Sequence, residues 1–248
     1  MYKMTREEFI KRFITVHKCV GCGEILDYEH SDSAFCDTCR MGWNSALNFG
    51  CSDCFKSMRE CVCMPKRLQR SGAIVLRKLF YYKKLDAYLP EMKLIFVMKG
   101  KKYKRLAEFV AKHLVPIIKE EIDTLGISEQ QLVITGVPRG QRSYRANGFD
   151  QAQLLARCIG KKMGIEYRSL LRSRISAKVQ KKLDVSSREK NANLSIRSRK
   201  NTRADEKYVI LIDDVVTSGS SMAACVKCLK RVGARGVLCF ALASENKV

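Results

Sequence analysis

Residues 209–221 read Val-Ile-Leu-Ile-Asp-Asp-Val-Val-Thr-Ser-Gly-Ser-Ser, and no other stretch limits the fold as tightly. Four apolar β-formers run into two acids, then into a short turn of hydroxyls and glycine. A helical pattern from Met222 to Val232 follows at once. A continuous apolar run of this kind suits a strand buried on both faces, as in a parallel sheet. Asp213 and Asp214 then fall at the carboxyl end of that strand, where open α/β sheets place their ligands. The turn at Thr217, Ser218, Gly219, Ser220 and Ser221 would present backbone N–H groups and hydroxyls at a helix start, a setting for a phosphate monoester. Acids beside a phosphate cradle suit a phosphorylated sugar. A plain core strand followed by a turn is the simpler alternative. A receiver-type acidic pair needs more strands than the 34 residues after Asp214 supply. A P-loop enzyme needs G-x-x-x-x-G-K-[ST] upstream, which this sequence lacks.

Cysteine is the second constraint. Eight of the twelve cysteines lie between residues 19 and 63. Cys19-x-x-Cys22 is followed by Cys36-x-x-Cys39, and Cys51-x-x-Cys54 by Cys61-x-Cys63. Two paired turns of this kind complete a tetrahedron around zinc. Four thiols leave no open position, so the metal is read as structural, and so short a segment needs it to fold. The second block closes on a pair with one intervening residue and fits the pattern less well. Sequential and cross-braced pairings both remain open, and His17 and His30 flank the cysteines as substitute ligands. Cys158, Cys225, Cys228 and Cys239 read as small buried hydrophobes. His113 sits on a helical stretch and reads as structural.

Charge divides the chain at the same place. The net charge is +22, yet residues 1–65 hold 8 basic and 9 acidic residues. The remaining 39 basic and 16 acidic residues belong to 66–248. Such an excess attracts polyanions, nucleic acid before an anionic membrane, although a merely solvated basic surface is the plainer alternative. Thiolates make the cysteine module more negative still, so the grip on nucleic acid is expected from the second part. The polar start carries no secretory pattern, and no apolar run is long enough to span a bilayer. Reduced cysteines and a cytoplasmic location are expected.

Between these landmarks, a basic linker leads from residue 66 into a β-like patch, Ala73 to Leu76 and Leu79 to Tyr82. Helices are expected over 86–98, ended by Gly100, and over 103–121. Lys99, Lys101, Lys102, Lys104 and Arg105 crowd the break. Lysines at a helix start oppose the macrodipole unless an anion is bound, which makes them candidates for nucleic-acid phosphates. Residues 132–137 read as a second buried strand ending in Pro138, Arg139 and Gly140. Arg139, Arg142 and Arg145 then recur every third residue, a spacing suited to a pyrophosphate clamp or to an exposed basic loop. A helix is expected over 148–163. Residues 168–203, with 12 basic and 2 acidic residues, read as a mobile basic loop able to close over a ligand. Phe80, Tyr81, Tyr82, Tyr88 and Tyr103 stand among basic residues and are candidates for stacking on bases.

The stretch 209–221 resembles the phosphoribosyl pyrophosphate (PRPP) signature of type I phosphoribosyltransferases. The resemblance implies that Asp213 and Asp214 are the catalytic pair on the ribose hydroxyls. It implies that Thr217, Ser218, Gly219, Ser220 and Ser221 hold the 5′-phosphate; Val215, Val216, Pro138, Arg139 and Gly140 join them as candidate PRPP- or phosphate-binding residues. Over nearly its whole length the chain resembles the ComF/ComFC competence family. The matching residues are the Val137-Pro138 strand end, Arg145-Ala-Asn-Gly-Phe-Asp-Gln151, and the Gln180, Leu183, Arg188, Asn191 pattern. It departs at Asn147, where the family usually has Arg, and at Asp150, where it usually has Asn. The resemblance implies an α/β protein with a parallel-sheet phosphoribosyltransferase-like domain, 66–248, behind a small N-terminal cysteine-rich zinc-ribbon module, 1–65. It implies a role in natural transformation, with single-stranded DNA, PRPP with Mg²⁺, and other DNA-uptake proteins as partners. Arg142 and Arg145 join the lysines around Gly100 as candidate strand contacts. Two classes stay open: a transferase acting on an unidentified base or amine, and a binding protein for DNA and PRPP.

Overall fold

The computed structural model describes residues 5, 17–27, 30, 32–83, 85–100, 103–140, 144, 148–173 and 196–245. Its centre is a four-stranded sheet of β3 (Val75–Tyr82), β4 (Leu132–Gly136), β7 (Tyr208–Val216) and β8 (Gly236–Glu245). The strands lie in the order β3-β8-β7-β4, and every pair is parallel. Successive side chains of β7 go to opposite faces. Ile210 and Ile212 join one core cluster, Val209 and Leu211 the other. Leu238 and Phe240 of β8 divide from Val237 and Cys239 in the same way. Both faces are therefore covered, which explains why the strands read as unbroken apolar runs rather than as alternation.

One face carries α4 (Lys104–Thr124) and α5 (Gln151–Met163). The other carries α6 (Ser220–Arg231) and the short α2 (Lys66–Arg70), whose Leu68 is fully buried. The basic linker expected after residue 65 is thus a helical turn docked on α6. α3 spans Pro90–Gly100, a little later than its periodicity suggests. Pro90 has no N–H to lose at a helix start, and residues 86–89 form the turn before it. Gly136 ends β4 beneath the start of α5, where a Cβ would lie 2.7 Å from the Ala152 backbone. This close approach brings the N-terminus of α5 onto the carboxyl edge of the sheet.

The two ends of the basic segment 168–203 meet in a short sheet. β5 (Leu171–Ser173) pairs antiparallel with β6 (Ile196–Ser198), and Leu170, Leu171 and Ile196 are buried in the same cluster as α6. Leu170, Leu171 and Ile196 dock the ends of a segment rich in basic residues. Residues 174–195, with Gln180, Leu183, Arg188 and Asn191, lie outside the described residues.

The cysteine module comprises β1 (His17–Lys18), β2 (Ile25–Leu26) and α1 (Asp37–Asn48) with the loops around them. It shares a core with the sheet domain. Trp43 of α1 stacks edge-on against Phe80 of β3, ring centroids 5.4 Å apart, and packs on Phe109 of α4 at the same distance. Its indole N–H donates to Nε2 of His113 at 3.3 Å, so that histidine is structural. Phe80, packed on Trp43, and Tyr81, packed with Cys51, Met58 and Cys61, are buried, 1% and 7% exposed, and are not available for base stacking, whereas Tyr88 is exposed. Among the described residues no helix is long and apolar enough to cross a membrane.

Candidate functional site

Two cysteine tetrads and one cleft carry the chemistry. Cys19, Cys22, Cys36 and Cys39 place their sulfurs within 4.8 Å of one another, and so do Cys51, Cys54, Cys61 and Cys63. Pairing is sequential rather than cross-braced, and all eight expected ligands are brought together. A tetrahedral zinc with bonds of about 2.3 Å sets sulfurs about 3.8 Å apart, and Cys22 and Cys36 stand at 3.7 Å. The donor set therefore fits zinc. His30 is engaged with Asp27 and Asp37 instead.

Both tetrads open on the same knuckle. The amide of Cys19 donates to Glu24 O and the amide of Gly23 to Cys19 O; Cys51 and Lys56, then Phe55 and Cys51, repeat the pattern. The fifth residue takes a left-handed conformation in each, Gly23 at φ 85° and Phe55 at φ 59°. Burial pushes the Cys19 thiol up, but the amides of Cys36, Cys22 and Gly21 more than reverse it, to about 7. Burial pushes Cys51 up as well, and the Tyr81 hydroxyl with the amides of Cys54 and Asp53 brings it down to about 6. Each set thus contains a sulfur ready to ionise for a cation.

The cleft lies at the carboxyl edge of the sheet and has a volume of about 510 Å³. Val137 continues the ladder by donating to Ile212 O at 2.8 Å, so Pro138, Arg139 and Gly140 leave the sheet beside Asp213 and Asp214. All five line the cleft, with Val215, Thr217 and Ser221 from the loop. A relay fixes the charged groups. Arg139 donates to Gln151 Oε1 at 2.7 Å, and Gln151 Nε2 donates to Asp214 Oδ2 at 2.9 Å. Asp150 accepts the Arg139 amide at 2.6 Å and caps α5 through the Gln153 amide. Burial raises Asp213 well above the usual carboxylate range, and the neighbouring Asp214 adds to it. Asp150 is also raised, chiefly by burial. Crowded, desolvated carboxylates resist ionising together. A hard divalent cation such as Mg²⁺ suits oxygen ligands of this kind, and Asp150, Asp213 and Asp214 are the residues that would face it.

The loop has two sides. Val216 is buried with the α6 core. Gly219 packs on Pro65, where a Cβ would stand 3.2 Å from the ring. Ser218 and Ser220 share a hydrogen bond of 2.8 Å, and Arg67 of α2 donates to Ser220 Oγ at 2.8 Å. Arg67 and Gln151 are residues of the candidate site that the sequence did not single out. Gln151 lay inside the quoted 145–151 match; nothing local marked Arg67.

The candidate strand-binding residues are scattered. Lys99 lines the cleft, its ammonium 5.5 Å from the Tyr82 ring. Lys104 pairs with Glu108 at 3.2 Å. Arg105 turns inward, donating to the Ser33 carbonyl of the cysteine module. Lys101, Lys102, Arg142 and Arg145 lie outside the described residues, as does Asn147.

No protein-family model matches the sequence. The chain is 24% identical over 242 residues to the competence protein ComFC of Streptococcus pneumoniae, covering 91% of this chain and 99% of that protein. It is 26% identical over 156 residues to the DNA utilization protein YhgH of Escherichia coli, covering 62% of this chain and 68% of that protein. The chain is a distant homologue of ComFC and YhgH. Among solved structures it is similar to UMP synthase of Leishmania donovani, at 13% identity and a TM-score of 0.31, over 87% of this chain. It spans 34% of that chain's length, and a likeness this loose carries no argument about fold or activity.

Proposed function

We propose that this protein serves in DNA utilisation, in the manner the names of ComFC and YhgH indicate, and that it binds PRPP with Mg²⁺ in the cleft while handling single-stranded DNA. One observation carries the reading. The paired acids of β7 and the hydroxyls of Thr217 and Ser221 face one cleft, opposite an arginine held in place by Gln151. The loop at the start of α6 suits the 5′-phosphate, the acids suit the ribose hydroxyls, and Arg139 suits the pyrophosphate. When bound, Mg²⁺ would neutralise part of the charge on the pyrophosphate. The Gln151 amide keeps Asp214 aimed into the cleft, and the Asp150 carboxylate holds the turn carrying Arg139. The zinc tetrads are structural in this reading, and other DNA-uptake proteins are its expected protein partners.

Calorimetric titration of PRPP with Mg²⁺ tests it. Wild type is expected to bind and Asp214→Ala to lose at least tenfold in affinity, about 1.4 kcal/mol. Equal affinity in the two proteins would remove the acids from the site. Pyrophosphate release in the presence of nucleobases would add transferase activity to binding.

A further inference from the structure

Beyond the acid-bearing cleft lies a second cavity of about 450 Å³, on the other side of the same loop. It is enclosed by the end of the second cysteine block, by α2, and by the ends of β3 and β8. Its charge differs in kind. The first cleft sets Asp150, Asp213, Asp214 and Glu245 against Lys99 and Arg139. The second presents Lys66, Arg67 and Arg70 of α2, with Asp53 and Glu245 as the acids lining it. Lys78 also lines it, but its ammonium is committed to Cys61 Sγ at 3.2 Å and Cys63 O at 2.5 Å. The loop hydroxyls divide between the two: Thr217 and Ser221 face the first cavity, Ser218 the second. Ser244, only 5% exposed, lines the second cavity and takes part in none of the side-chain hydrogen bonds among the described residues. A hydroxyl lining a cavity beside three cations is a place for an oxyanion.

We infer that this second cavity is a phosphate-binding site for single-stranded nucleic acid, distinct from the PRPP cleft and independent of Mg²⁺. The inference rests on the DNA-handling reading above and moves the strand from the lysines around Gly100 to α2. Cations of α2 meet phosphate oxygens without a bridging metal, whereas the first cleft has too many carboxylates to hold a polyanion alone. A cavity of this size is that of a small-molecule site, so it takes a strand one or two phosphates at a time and has no room for a duplex. Arg67 touches both sides, because its guanidinium lines the second cavity and donates to Ser220 of the shared loop.

The test is binding of a short fluorescent oligothymidylate without added Mg²⁺, over a series of salt concentrations. Lys66 and Arg70 are exposed on α2, so Lys66→Ala/Arg70→Ala should fold normally. That variant is expected to lose about tenfold in oligonucleotide affinity, with a log–log salt slope shallower by about 1.4, the value for two phosphates on a single strand. Its titration with PRPP and Mg²⁺ should match wild type. Wild-type affinity and slope in the variant would overturn the inference. Were Lys99→Ala/Lys104→Ala to lose binding while the α2 variant kept it, the DNA-handling reading would stand and this site would fall. No oligonucleotide binding by wild type at low salt would overturn both.

Discussion

The two cysteine tetrads share a knuckle but not a role. The first is fastened from outside by α3 and α4. Lys93 donates to the Gly21 carbonyl at 2.5 Å and Arg105 to the Ser33 carbonyl. The second is fastened from within by β3. Lys78, 2% exposed, donates to Cys61, and the Tyr81 hydroxyl donates to Cys51 at 3.0 Å. From Cys63 the chain passes through Pro65, which packs on Gly219, to Arg67, which holds Ser220. The first tetrad therefore anchors the module to the fold, and the second bears on the loop proposed to hold the ligand. Two metal sites of the same ligand set can differ entirely in what they position, and the neighbours of the sulfurs reveal the difference.

Five changes would break or sharpen this contrast. The largest effect is expected from Lys78→Met, which leaves a buried thiolate site without its cation. A loss of about 3–5 kcal/mol should appear in urea unfolding, with faster zinc release to a chromogenic chelator. Arg105→Met at the first tetrad removes one hydrogen bond to a carbonyl and should cost about 1–2 kcal/mol.

Next comes pH. Burial, assisted by Arg59 and Lys112, lowers His113 to about 4 from its usual 6.5. The neutral ring is the folded form, so the unfolded chain binds more protons between those values. Stability is complete above pH 6.5 and falls as pH drops towards 4, by at most about 3 kcal/mol. His113→Gln keeps an acceptor for Trp43 and should flatten that part of the pH–stability curve. Acid also releases thiolate-bound metal, so the comparison is wild type against variant at each pH. An unchanged slope would mean the histidine titrates freely.

Tyr81→Phe removes one donor to Cys51 and should cost about 1 kcal/mol, read in the same unfolding assay. The smallest effect is a gain. Phe55 is 86% exposed and left-handed, where Gly23 stands in the first knuckle. Phe55→Gly relieves that strain without losing packing and should stabilise by about 0.5 kcal/mol.

Much of this was legible in the sequence for physical reasons. β4 and β7 are buried on both faces, so their apolar runs and the acids ending β7 stood out. Metal ligands must recur at short spacings, so all eight cysteines were found, although the tighter Cys61-x-Cys63 closure looked weaker than it is. What stayed hidden depends on pairs distant in the chain. Arg67 and Ser220 are 153 residues apart, and Gln151 reaches Asp214 across 63. Arg105 looked like one of a basic cluster because spacing does not show that its guanidinium turns under the cysteine module. Phe80 and Tyr81 looked available to bases because their burial comes from Trp43 and the second tetrad, on segments far upstream. The ends of 168–203 were lost in their own charge, since Leu170, Leu171 and Ile196 are a small minority there.

The most direct test compares Cys22→Ser with Cys54→Ser, measuring bound zinc and the affinity for PRPP with Mg²⁺ in the same preparations. Each variant is expected to lose one zinc, and only Cys54→Ser to weaken PRPP binding, by tenfold or more. Equal weakening in both, or wild-type affinity in Cys54→Ser, would contradict the assignment of the second tetrad to the ligand loop.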